Sequence, residues 1–154
     1  MEYSVMSRII AREATYSLLA KTTAIISIVD IGAERNKFYP QPWLKHILEL
    51  QFDDVEKGQK GCITKKQAKT IAEFVCEIYR QVERIIVHCE FGQSRSAGVA
   101  AAISRHFEGH SSGIFGNRVY YPNKTCYKYV LAALKKINKE TVKSVPLTNS
   151  ASMK

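Results

Sequence analysis

Residues 87–103 read VHCEFGQSRSAGVAAAI, with a thiol at Cys89 and a guanidinium at Arg95 on a short bend between an apolar run and an alanine-rich segment. Upstream, RIIVHC (84–89) has the length and β-branched content of a buried strand. Downstream, SRSAGVAAAISRHF (94–107) has the content of a helix whose alanines and Gly98 allow close packing. The stretch is thus a strand, a loop and a helix N-terminus. At such a junction the backbone N–H groups of residues 89–95 can curl around one centre while the helix aims its own free N–H groups at the same point, which makes an anion cradle. Gly92 supplies a position where positive φ or close backbone approach costs little. Arg95 adds a planar fork that can grip two oxygens of a phosphate.

Cys89 at the base of this cradle sits in a field that favours thiolate over thiol. Lowering its pKa by about three units requires roughly 4 kcal/mol, within reach of helix-end and hydrogen-bond effects. A thiolate beneath a bound phosphate is placed for in-line attack on phosphorus, giving a phosphocysteine that water later hydrolyses. Backbone amides and Arg95 stabilise the charge, so the chemistry calls for no metal and no cofactor. The departing oxygen still needs a proton, and the acidic turn after HILELQF (46–52) offers Asp53, Asp54 and Glu56.

Working outward, VMSRII (5–10) and TAIISIVDI (23–31) read as strands separated by a helical segment, AREATYSLLAK (11–21). HILELQF alternates as a strand and ends in the turn DDVEKGQKG. From Thr64, the apolar residues at 68, 71, 72, 75, 78, 79 and 82 mark one helical face, and Thr64 with Gln67 fits a capping box. A turn-rich segment precedes a last helix from Asn123, a fitting N-cap, with Tyr127, Val130, Leu131, Leu134 and Ile137 on one face. The expected fold is α/β, a central mainly parallel sheet of four to five strands flanked by helices. Residues 1–143 form one domain in this reading and residues 144–154 a flexible tail.

Composition agrees. The chain has 154 residues, 45% hydrophobic and 24% charged, and a formal net charge of +9 that favours anionic partners. The lysines are dispersed, and zinc-finger or aromatic RNA-binding patterns are absent. Cys62, Cys76, Cys89 and Cys126 form no C-x-x-C pair, so reduced thiols are expected and zinc has little support. Without a signal-like segment or a membrane-length apolar run, the expectation is a cytoplasmic monomer that does not enter a membrane.

HCEFGQSRS (88–96) resembles the His-Cys-x5-Arg-Ser signature of the cysteine-dependent protein tyrosine phosphatase superfamily, and the small size resembles its dual-specificity branch, short bacterial members above all. The likeness extends over residues 22–107, where a strand, an aspartate-bearing loop, a helix and the signature strand follow in the family's order. It implies Cys89 as nucleophile, Arg95 as phosphate clamp, and Glu90, Phe91, Gly92, Gln93 and Ser94 as backbone donors. It also implies Ser96 as a hydroxyl that assists thiolate release, and His88 as an orienting residue that lowers the thiol pKa. Aligning LQFDDV with the family's acid loop favours Asp54 as general acid, with Asp53 as the alternative. The implied substrates are phosphotyrosine and also phosphoserine or phosphothreonine proteins.

Three other readings use the same parts. An RNA 5′-phosphatase would suit the positive charge. A sulfurtransferase also places a thiolate in an anion loop, and a non-catalytic phosphate-binding module would keep the cradle without the chemistry. A thiolate of this kind is also open to oxidation, with Cys62, Cys76 or Cys126 as partner. His46, His106 and His110 are read as surface or core residues.

Overall fold

The computed structural model describes residues 1–111 and 113–144. Four strands, Glu2–Ser7 (β1), Thr23–Val29 (β2), Leu44–Gln51 (β3) and Arg84–Cys89 (β4), and four helices, Arg8–Ala14 (α1), Lys65–Ile78 (α2), Arg95–Glu108 (α3) and Lys124–Ser144 (α4), follow in the order β1-α1-β2-β3-α2-β4-α3-α4. The strands make one sheet in the order β1-β4-β2-β3, parallel at each pairing. This is the expected α/β architecture, with four strands.

Position in the sheet explains the sequence of each strand. β2 and β4 are central, covered on both faces, and read as continuous apolar runs. β3 lies at an edge and alternates half-buried with exposed residues along its length. On α2 the apolar stripe Ala68, Ile71, Ala72, Val75 and Ile78 is buried. Its capping box is complete: Thr64 Oγ1 accepts the Gln67 N–H at 3.0 Å, and Gln67 Oε1 accepts the Thr64 N–H at 3.0 Å. The first ten residues of α3, Arg95 to Ser104, are all buried. Such a helix can lie against neighbours on every side only if its residues are small, and at Gly98 a β-carbon would run into the Asn123 carbonyl oxygen at the start of α4.

The amino-terminal boundary differs from the expected one. Residues 5–10 were expected as strand and 11–21 as helix, but β1 ends at Ser7 and α1 covers Arg8–Ala14. Ser7 caps the helix, its Oγ accepting the Ile10 N–H at 3.2 Å. Ile9 and Ile10 therefore leave the sheet and stand 67% and 51% exposed. Thr15 closes the helix through its Oγ1–H to the Arg12 carbonyl at 2.6 Å. At the other end, α4 continues through Ser144, and positions 145–154 of the expected tail lie outside the described residues. Among the described residues no helix is long and apolar enough to cross a membrane.

Candidate active site

Loop 90–94 leaves the carboxyl end of β4 in mid-sheet, the place where parallel α/β sheets open toward ligands. Its shape is set from outside. The Arg8 N–H donates to the Glu90 carbonyl at 3.2 Å, the Tyr121 N–H to that of Gln93 at 2.9 Å, and the Asn123 and Gly98 N–H groups to that of Ser94 at 3.0 and 2.9 Å. A trans peptide with its C=O turned outward turns its N–H inward. Gly92, at φ 70°, lies so close to the Met6 and Ser7 backbone that a β-carbon would collide with it. Only glycine fits there without displacing β1.

Cys89 is 3% exposed, directly below these amides. Burial pushes its thiol up, but hydrogen bonding by the Ser96 side chain and by the backbone N–H groups of Ser96, Gly92 and Ser94 outweighs burial and holds it below the usual thiol value. The Ser96 Oγ to Cys89 Sγ distance is 3.0 Å. The other three thiols go the opposite way: burial pushes Cys62, Cys76 and Cys126 up.

His88 is fully buried, and burial lowers its pKa to about 4, against a raising contribution from its hydrogen bond to Cys89. The neutral ring donates Nδ1–H to the Cys89 carbonyl at 3.2 Å. Nε2 accepts from Ser27 Oγ at 2.6 Å and Asn36 Nδ2 at 3.3 Å. This pattern follows from the carbonyl, which can only accept. The histidine thus fixes the backbone of Cys89 and brings no positive charge to the sulfur.

Arg95 is 3% exposed. Its Nη1 donates to the Phe52 carbonyl at 2.7 Å and pairs with Asp30 Oδ1 at 2.6 Å. The Nε–H is buried without a hydrogen-bond partner among the described residues. A buried orphan donor beside an anion cradle is a group prepared for a ligand.

The two candidate acids part company. Asp54 Oδ1 accepts from Ser94 Oγ at 2.7 Å, on the rim of the loop, and from Asn123 Nδ2 at 3.0 Å. Asp53 Oδ1 instead accepts the Ile31 N–H at 3.1 Å, beyond the end of β2. Glu56, the third carboxylate of the turn, accepts the Lys124 and Thr125 N–H groups at 3.4 and 3.2 Å and the Thr125 hydroxyl, so it is occupied at the start of α4. Asn123 also donates to the Val55 carbonyl at 3.1 Å. The acid turn is therefore tied to the start of α4 at Asp54 and at the two residues that follow it.

Of the remaining loop residues, Phe91 is 78% exposed, and Glu90 lies 4.0 Å from Arg8. Gln93 is exposed at the rim. The sequence reading missed Asp30, Ser27 and Asn36, and saw Asn123 only as a cap. Asp30 lay inside the run read as strand, 23–31, whereas β2 ends at Val29, and Asn36 lies in an irregular segment, so neither carried a signal. Among the described residues no group of three His, Cys, Asp or Glu side chains is arranged to hold a metal ion.

No protein-family model matches the chain, and no curated protein matches it. Solved structures do. The chain is similar to human DUSP28 with a TM-score of 0.59 and 15% identity, over 90% of this chain and 94% of that one. It is similar to the Cydia pomonella PTP-2 phosphatase with a TM-score of 0.56 and 15% identity, over 86% and 85% of the two chains. The corresponding values for PTPMT1 are 0.55 and 15%, over 92% and 95%. The fold is that of the cysteine-dependent protein tyrosine phosphatase superfamily.

Proposed function

On this fold, we propose that the chain is a metal-independent phosphomonoester hydrolase working through a cysteinyl-phosphate intermediate. The observation that carries the reading is Cys89, a buried thiol shifted below its usual value by converging hydrogen bonds from Ser96, Gly92 and Ser94. The loop amides and Arg95 receive the phosphate oxygens. The Cys89 sulfur forms a bond to phosphorus as the bond from phosphorus to the ester oxygen breaks, and Asp54 gives its proton to that departing oxygen. In the second half Asp54 takes a proton from water, the water oxygen bonds to phosphorus, and the S–P bond breaks. Ser96 Oγ, 3.0 Å from Sγ, then donates to the returning thiolate. Loop amides already aligned need no reorganisation as charge develops, which is the main source of rate in such a site.

Phosphotyrosine proteins, with phosphoserine and phosphothreonine proteins beside them, are the substrates that this reading assigns, and the unpaired state of all four cysteines suits a reducing, cytoplasmic setting. The test is hydrolysis of para-nitrophenyl phosphate with chelator and reductant present. Turnover by wild type and none by Cys89→Ser supports the reading; turnover lost on chelation, or retained by Cys89→Ser, removes it. Phosphate release from phosphopeptides compared with 5′-triphosphorylated RNA then separates a protein phosphatase from an RNA 5′-phosphatase, for which the net charge of +9 speaks.

A further inference from the structure

Both contacts that hold the Arg95 guanidinium fall on one nitrogen. Nη1 meets Asp30 Oδ1 at 2.6 Å and the Phe52 carbonyl at 2.7 Å, while Nε–H has no partner among the described residues. A guanidinium is planar, so fixing Nη1 in two directions fixes the whole plane. The edge that still carries two parallel N–H bonds is the one formed by Nε and Nη2, the geometry that matches two oxygens of a tetrahedral anion.

We propose that Asp30 is the positioning residue of Arg95: with the Phe52 carbonyl, it turns the guanidinium so that its Nε–Nη2 edge faces the bound phosphate. The inference rests on the phosphate-binding reading of the loop. Asp30 is well suited to the task. It follows the last residue of β2, a central strand, and its own segment is anchored by the Ala33 N–H to the Asp30 carbonyl at 3.0 Å and by the Ile31 N–H to Asp53 Oδ1 at 3.1 Å. Asp53 thereby acquires a structural task distinct from that of its neighbour Asp54. A guanidinium with 3% exposure also needs a nearby counter-charge, which Asp30 supplies. The carboxylate of Asp30 would repel a phosphate if it pointed at it. Held behind Nη1, it acts through Arg95 and touches no reacting atom.

The test is binding of inorganic phosphate by calorimetry to the full chain, in wild type, Asp30→Asn and Asp30→Glu, each also in an Arg95→Lys background. Asp30→Asn is expected to weaken phosphate binding at least about tenfold, and Asp30→Glu to recover part of it. In the Arg95→Lys background, where no planar edge remains to be oriented, Asp30→Asn should change binding less than about twofold. The pH midpoint of Cys89 alkylation should be the same in Asp30→Asn as in wild type, because the groups that shift the thiol do not include Asp30. Unchanged or tighter phosphate binding by Asp30→Asn overturns the proposal, as does a displaced alkylation midpoint, which would mean a lost loop and not a turned guanidinium. Wild type that binds phosphate without hydrolysing esters removes the hydrolase reading and leaves the comparison of variants intact. Wild type that does not bind phosphate overturns both.

Discussion

His88 shows how a residue beside the proposed nucleophile can serve it without touching the sulfur. Its pKa, lowered to about 4 from 6.5 by burial, means that the unfolded chain takes up a proton in this window while the folded chain does not. Stability contributed by the neutral ring is therefore whole above about pH 6.5, falls as pH drops toward 4, and is fully lost below, a change of about 3 kcal/mol. Urea midpoints between these limits should decline with acid in wild type and decline less in His88→Gln. The cysteines make a second residue-scale prediction. Iodoacetamide at mildly acidic pH should label Cys89 ahead of Cys62, Cys76 and Cys126, as read by mass spectrometry, and Ser96→Ala should narrow that lead by removing one of the bonds that lowers the thiol. The adjacent aspartates supply a third. Asp54→Ala should lose about a hundredfold or more in turnover of esters with poor leaving groups, and far less with para-nitrophenolate, which departs without a proton. Asp53→Ala should keep that leaving-group dependence; the reverse result would exchange their roles.

At the scale of elements, the chain was legible wherever one interaction dominated a whole segment. The stripe from Ala68 to Ile78 and the Thr64 capping box gave α2, and burial on both faces gave β2 and β4 as apolar runs. The amino-terminal boundary was not legible, because the β-branched pair Ile9–Ile10 favours a strand locally while Ser7 favours a cap, and the sequence does not state which wins. In the site, Cys89, Gly92 and Arg95 could be read from spacing alone. Asp30 and Asn36 could not, since their importance depends on strand order, which brings residues 30 and 36 beside residues 88 and 95. The α3–α4 contact yields a prediction of the same kind. Gly98→Ala should gain from helix propensity in isolation, yet it places a methyl against the Asn123 carbonyl, so a net loss of about 1–3 kcal/mol is expected from the urea midpoint. Because Asn123 also holds Asp54, the variant should lose turnover as well.

For the molecule as a whole, a net charge of +9 acts at a distance. It raises the encounter rate with anionic substrates and is screened by salt, so kcat/KM for an acidic phosphopeptide should fall with added sodium chloride while kcat stays level. The parallel sheet has a different consequence, one of time. The loop is shaped by the Arg8 N–H at one end of the chain and by the Tyr121 and Asn123 N–H groups near the other, and parallel strands β1 and β4 pair across most of the sequence. A growing polypeptide that carries Cys89 but has not reached Tyr121 lacks two of the four N–H groups that hold the loop carbonyls outward. Until the loop amides are aimed at it, the sulfur is expected to stay near the ordinary thiol value, where it is a poor target for peroxide. On the proposed function, synthesis itself would thus delay a reactive sulfur until the fold that shelters it is nearly complete.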